Sequence, residues 1–263
     1  IKALNQARKN AEFGDEAILN MVDIYLNPDN ESLWSDEGAS TPAADGGEAV
    51  NVAKKLLNEI TTRPKSLRHE ILECHALIAT KNRSYVERAV QRFVEMLNKD
   101  KDSVPALRGM AMALLMMKQT PKARNCLKRI NKMPYNADAA DDYEAAWLML
   151  ANIYISTGKY DMAEDICAKC LKYNMSCGQA HEHMGLIKEK EASYRDAADH
   201  YEQAWKCENE ATPRIGYKLA FNYLKAERFI DAIDVCHKVI KQFPDYPKIR
   251  KEVLFRAREG LRP

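Results

Sequence analysis

Five alanines recur at a nearly constant spacing along the chain, and this period constrains the fold more than any other feature. The steps between them are 34, 40, 34 and 35 residues. A step of about 34 residues is typical of a helix–turn–helix unit that stacks on further copies of itself. We therefore expect the alanines to be small residues buried at helix crossings. They are Ala89, Ala123, Ala163, Ala197 and Ala232.

The region 144–177 shows the pattern most clearly. Trp147 and Tyr154 fall on one face of its first predicted helix. Ala151 lies on the same face, where a larger side chain would push the two helices apart. Gly158 follows and is expected to form the turn, because glycine adopts left-handed backbone angles without steric cost.

This pattern divides the chain into a regular and a less regular part. Residues 1–69 are predicted as helices of the same type, with a flexible insertion at 28–47 that is rich in Ser, Gly, Asp and Glu. The 40-residue step predicts that residues 138–143 lengthen one loop between repeats. Five repeats are predicted in the second part. They span 70–103, 104–137, 144–177, 178–211 and 213–246.

Residues 247–263 predict a helix that caps the exposed apolar face of the last repeat. Ile249, Val253, Ala257 and Leu261 have the spacing of one helical face. Lysines and arginines surround that face. This leaves open a second role, as a basic helix that binds an acidic partner or a membrane surface.

These motifs resemble the tetratricopeptide repeat (TPR) family over about residues 70–263. The resemblance implies an all-α fold, a TPR solenoid in which antiparallel helix pairs stack into a right-handed superhelix. The C-terminal helix would cap it.

Strings near the C-terminus carry a narrower resemblance. Residues 159–165 (KYDMAED), 216–226 (GYKLAFNYLKA) and 246–251 (YPKIRK), together with the terminal 261–263 (LRP), resemble the C-terminal part of the large TPR subunits of intraflagellar transport complex A. That resemblance implies a scaffold subunit in retrograde ciliary transport and cilium assembly. The implied partners are the other subunits of that hetero-oligomeric complex and ciliary cargo proteins. The implied location is the cilium (axoneme and base), the cytoplasm and the cytoskeleton, with further repeats preceding this segment.

The bulk composition excludes several other partners. Forty basic residues face 38 acidic ones, so the net charge of +2 gives no argument for nucleic acid binding. The longest apolar run, 109–117, is far shorter than the roughly 20 residues that cross a bilayer, and no membrane insertion is expected. Seven scattered cysteines suggest free thiols in a reducing compartment.

One cluster of potential metal ligands occurs in the sequence. Cys167, Cys170 and Cys177 precede His181 and His183. The first two cysteines occupy a predicted buried helical face, and the two histidines, two positions apart, face different sides of a helix. Core packing is therefore favoured over zinc or redox chemistry, and we expect no metal and no cofactor.

The chain lacks the motifs of the common enzyme classes. It contains no P-loop, no GxGxxG and no GxSxG, and its paired carboxylates are predicted to lie in solvated loops. We therefore predict a protein that is not an enzyme.

A candidate partner-binding groove is predicted on the inner helices of two repeats. Its apolar character suits an amphipathic helix or extended segment of a partner, although packing within the superhelix would explain it as well. The alternative function is a co-chaperone-like adaptor for short linear peptides, which should show Lys and Asn at these positions. The groove residues are Met112, Leu115, Met116, Leu148 and Ile155.

Overall fold

The structure is a computed structural model that describes residues 1–10, 12–26, 46–60, 65–246 and 248–261. Within these ranges the chain forms helices joined by short turns, without β-strands. None of these helices combines the length and the apolar composition needed to cross a bilayer. The predicted insertion at 28–47 lies outside the described residues up to position 45, and a helix already begins at Gly46.

The α-helices within the described residues have the following bounds. In chain order they are α1 (Lys2–Ala7), α2 (Gly14–Leu26), α3 (Gly46–Glu59), α4 (Leu67–Ala79), α5 (Arg83–Lys99), α6 (Val104–Met116), α7 (Thr120–Lys132), α8 (Ala140–Ser156), α9 (Tyr160–Tyr173), α10 (Gly178–Lys190), α11 (Tyr194–Cys207), α12 (Pro213–Lys225), α13 (Phe229–Gln242) and α14 (Phe255–Gly260).

The loop predicted at 138–143 is largely helical instead. A 3₁₀ turn covers Ala137–Ala139, and α8 begins at Ala140. Asp141 and Asp142 occupy the first turn of α8, where carboxylates favour the positive end of the helix dipole. The additional residues therefore extend a helix.

The chain forms two compact units, Ile1–Asp142 and Tyr143–Pro263. In the first unit, α4, α5 and α6 share a core that includes Ile71, Phe93 and Ala106. In the second unit, α11, α12 and α13 share a core with the C-terminal segment. Each core is a strip of side chains contributed by neighbouring helices, as expected of stacked repeats.

The five periodic alanines are all fully buried, with 0% of their surface exposed, which confirms the prediction for them. Glycine has a similar role on the partner helices. A Cβ atom at Gly109 would lie 2.4 Å from the Phe93 ring, and one at Gly185 would lie 2.9 Å from the Tyr201 ring. Small residues therefore let a large aromatic ring of an adjacent helix approach the backbone.

The turns within five helix pairs share one backbone feature. Gly158 has a φ of 71°, as predicted for its turn. The corresponding position in four other pairs also has positive φ but carries a side chain with a Cβ atom. These residues are Lys81, Lys118, Ala192 and Glu227. Backbone geometry at the turn is thus preserved although glycine is used once.

The C-terminal segment covers the end of the second unit. A π-helical stretch, Ile249–Leu254, leads into α14. Ile249, Val253 and Ala257 are fully buried, as the predicted capping face requires. Leu261 is instead 49% exposed, because α14 ends at Gly260 and the helical face does not continue to it.

Candidate functional site

The predicted groove residues of the first unit lie on α6. Met112, Leu115 and Met116 have the i, i+3, i+4 spacing that places side chains on one helical face. Met112 is half-buried and packs against the core shared by α4, α5 and α6. Leu115 is also half-buried, whereas Met116 is 42% exposed. The face is therefore partly used for packing and partly open to solvent.

The predicted groove residues of the second unit lie on α8. Leu148 and Ile155 are half-buried, and Asn152 between them is exposed. The opposite face of α8 carries the fully packed side chains of Trp147 and Leu150. Because the two sets of residues belong to different compact units, each set is a candidate contact surface by itself. A continuous groove formed by all five residues stays a prediction.

The cysteines considered as metal ligands separate into two environments. Cys167 is buried in α9, and burial raises the pKa of its thiol to about 12. Cys170, one turn later, lies close to Cys177 and to Glu144, and one ligand atom from each of these three residues is within 4.8 Å of the others. We call Glu144, Cys170 and Cys177 the sulfur–carboxylate cluster.

Three different segments build the sulfur–carboxylate cluster. Glu144 lies near the start of α8, Cys170 in the last turn of α9, and Cys177 at the N-cap of α10. The Cys170 thiol donates a hydrogen bond to Cys177, which raises the pKa of Cys170 and lowers that of Cys177. The neighbouring Ala180 backbone also lowers the pKa of Cys177, whereas burial and Glu144 act in the opposite direction.

The two predicted histidine candidates lie elsewhere. Nδ1 of His181 is 3.4 Å from Nδ1 of His200 on α11, and Nε2 of His181 is 3.1 Å from the carbonyl oxygen of Met175. Burial lowers the pKa of His183 below its ordinary value. Among the described residues, neither histidine belongs to the group that includes Cys170 and Cys177.

Sequence reasoning missed Glu144 as a neighbour of these cysteines. A signal was present in the repeat itself. The start of the first helix and the end of the second helix of a pair are adjacent, because the two helices run in opposite directions. Glu144 and Asn174 occupy these positions, and the Asn174 amide donates a 2.7 Å hydrogen bond to the Glu144 carboxylate.

A second polar cluster joins α10 to α12. Glu182 is nearly buried. Its carboxylate accepts two hydrogen bonds from the Arg214 guanidinium, one of them 2.8 Å long, and a third of 3.0 Å from Lys218. Burial would raise the pKa of Glu182, but hydrogen bonds and attraction from Lys218 and Arg214 outweigh burial and lower it. Two helical turns further along α10, Glu189 accepts hydrogen bonds from Tyr201 and Asn222. We call this set the ionic cluster.

Basic side chains line the exposed surface of the C-terminal segment. They are Lys248, Arg250, Lys251, Arg256 and Arg258, with Phe255 half-exposed among them. The alternative role of this segment, binding an acidic partner or a membrane surface, stays a prediction.

Comparison with solved structures supports the fold. A structure reported in a functional characterisation of Pseudomonas aeruginosa PilF matches with a TM-score of 0.59 and 13% identity, over 95% of this chain and 97% of that chain. The crystal structure of YrrB, described as a TPR protein with an unusual peptide-binding site, matches with a TM-score of 0.53 and 14% identity, over 79% of this chain and 96% of that one. At these identities the likeness establishes the fold, which is an all-α TPR solenoid as predicted.

Sequence comparison identifies the family. The chain is 50% identical to mouse tetratricopeptide repeat protein 21B and 49% identical to the human protein of the same name, with all of this chain aligned in both cases. It spans about a fifth of the length of these relatives, 21% in each. The family model for the tetratricopeptide repeat protein 21 C-terminal ARM domain matches residues 52–258. These matches indicate repeat scaffolds and no enzyme class, and the chain belongs to the tetratricopeptide repeat protein 21 family.

Proposed function

We propose that this chain is part of a non-catalytic scaffold, a subunit of intraflagellar transport complex A that acts in retrograde ciliary transport and cilium assembly. The observation that carries the proposal is the match along the whole chain to the tetratricopeptide repeat protein 21 family. The C-terminal strings resemble the large TPR subunits of that complex. The proposed partners are other complex A subunits and ciliary cargo, in the cilium, the cytoplasm and the cytoskeleton.

The partly exposed face of α6 supports a scaffold mechanism. The fully buried residues of each repeat hold the helices together, and side chains such as Met116 stay available at the surface. Methionine is flexible and adapts to different apolar partners. We propose that an amphipathic partner helix or an extended segment contacts this face, with affinity concentrated in a few anchor residues.

The test is a pull-down of complex A subunits with the purified chain and with the double variant Met112→Asp, Met116→Asp. We expect the double variant to lose most of the binding, because two charges would have to be desolvated at an apolar contact. Met162→Asp is the matched control, since Met162 is 44% exposed and lies outside the proposed surface. Circular dichroism shows whether each variant remains folded.

Two outcomes separate the surface from the function. Unchanged binding by a folded double variant would exclude the α6 face as the contact. Failure of the wild-type chain to recover any complex A subunit would contradict the proposed function itself.

A peptide adaptor is the alternative, and the solved structure of YrrB shows that a TPR fold can carry a peptide-binding site. In this chain Asn222 is fully buried, and its amide donates to Glu189 and to the Lys218 carbonyl oxygen, so it is not available for a peptide carboxylate. Asn152 is exposed on α8. Free C-terminal peptides used as bait in the same pull-down would distinguish the adaptor from the scaffold.

A further inference from the structure

We propose that the sulfur–carboxylate cluster formed by Glu144, Cys170 and Cys177 is a zinc site that links two consecutive repeats. Two thiols and one carboxylate converge, with one ligand atom from each within 4.8 Å of the others. Tetrahedral zinc has Zn–S bonds of about 2.3 Å and Zn–O bonds of about 2.0 Å, so its ligand atoms are separated by about 3.5–3.8 Å. Small side-chain movements would close the observed arrangement on an ion.

The chemistry of the ligands selects the metal class. Thiolates favour zinc over magnesium and calcium, which prefer sets made entirely of oxygen ligands. Three protein ligands leave one tetrahedral position for water. Both cysteines are buried, whereas Glu144 is half-buried and forms the side of the cluster that solvent reaches.

Local structure holds two groups of the cluster in place. Cys177 is the N-cap residue of α10, a helix of 13 residues. Asn174 donates to the Glu144 carboxylate and fixes its orientation, as an outer-shell group does for a metal ligand.

The position of the cluster explains what zinc would do there. Glu144 and Cys170 belong to the helix pair α8–α9, and Cys177 begins the next pair. An ion bound by all three would tie the end of one repeat to the start of the next. Zinc at this site would therefore stabilise the stacking of the two repeats.

The first experiment measures zinc directly. The chain is stripped with a chelator in reducing buffer, reloaded with Zn²⁺, desalted and analysed for elemental zinc. We expect about one ion per wild-type chain and a loss of most of it in Cys170→Ala and Cys177→Ser. Cys167→Ala and Cys207→Ser are matched controls for a buried and an exposed thiol, and both should retain the ion.

Cys177→Ser also separates ligand loss from unfolding. Serine is a good N-cap, so the metal-free variant should melt at or above the temperature of the metal-free wild type. Zinc should raise the melting temperature of the wild type and leave that of Cys177→Ser unchanged.

A second probe, Co²⁺, reports the ligand type through its thiolate charge-transfer absorption. We expect this absorption in the wild type, its loss in both cysteine variants, and an altered spectrum in Glu144→Gln. The proposal is overturned if the reduced wild type binds no zinc beyond background. It is also overturned if Cys177→Ser keeps the ion. A disulfide between Cys170 and Cys177, seen by native mass spectrometry of the chain from reducing cytosol as a loss of two hydrogen atoms, would overturn it as well.

Discussion

Two junctions between repeats in the second unit place polar groups between helices in contrasting ways. At the junction of α10, α11 and α12, the Glu182 carboxylate faces two cations, Arg214 and Lys218. At the junction of α8, α9 and α10, the Glu144 carboxylate faces two thiols and a neutral amide donor. The ionic cluster contains its own counter-charges, whereas the sulfur–carboxylate cluster is built from groups that become anionic.

The difference shows that the period of the repeat controls how the helices pack, and not which polar residues lie between them. Both junctions use the same frame of small residues against large ones, with Ala163 and Ala197 fully buried at equivalent points. The polar residues at the junctions do not repeat. The helical frame therefore tolerates different polar clusters between its repeats.

The largest expected effect comes from removing the aromatic ring beside the ionic cluster. The Tyr201 ring is fully buried against Gly185, Lys218 lies 5.3 Å from the ring centre, and the hydroxyl donates to Glu189. Tyr201→Ala should lower the free energy of unfolding by about 3–5 kcal/mol, because it leaves a large cavity. Urea denaturation measures this loss.

Tyr201→Phe is the matched control for the hydroxyl. It keeps the ring and removes one hydrogen bond to a carboxylate, which should cost about 1–2 kcal/mol. An equal loss in both variants would mean that the hydroxyl, and not the buried ring, stabilises this junction.

The carboxylates of the two junctions offer a direct comparison. Glu182→Gln should cost about 1–2 kcal/mol, a value reduced by the exposure of Arg214, because two cations lose their anionic partner. In the metal-free chain, Glu144→Gln should cost less than about 0.5 kcal/mol, since the new amide oxygen still accepts from Asn174. Equal costs at the two positions would contradict the contrast between the junctions.

The cost of Glu182→Gln should depend on pH. The folded-state pKa of Glu182 is lowered from the ordinary value of 4.5, so its carboxylate stabilises the fold fully above that value. The contribution is lost as the pH falls through the lowered folded-state pKa. Wild type and Glu182→Gln should therefore converge in acid, and a difference that stays constant down to acid pH would refute the role of the carboxylate charge.

The sequence predicted the frame better than the clusters. Burial of the five alanines and the turn at Gly158 followed from local spacing, because helix packing repeats with the period of the chain. The helix start at Ala140 was missed, since the additional residues were interpreted as a loop. Glu144 and Cys177 come into contact only when three segments pack together, and the residue spacing within a single helix cannot predict such a contact.

A modest effect is expected at the turns that precede the second helix of each pair. The turn before α9 has Gly158 and the turn before α11 has Ala192, yet both residues have positive φ, 71° and 59°. Left-handed angles cost a residue with a Cβ atom about 1–2 kcal/mol, and part of the gain from glycine is offset by its greater freedom when unfolded. Ala192→Gly should therefore stabilise the chain by about 0.5–1 kcal/mol, and Gly158→Ala should destabilise it by about 1 kcal/mol, both measured by urea denaturation. If Ala192→Gly instead destabilised the chain, as a glycine inside a helix does, the two turns would differ in energy despite their shared backbone geometry.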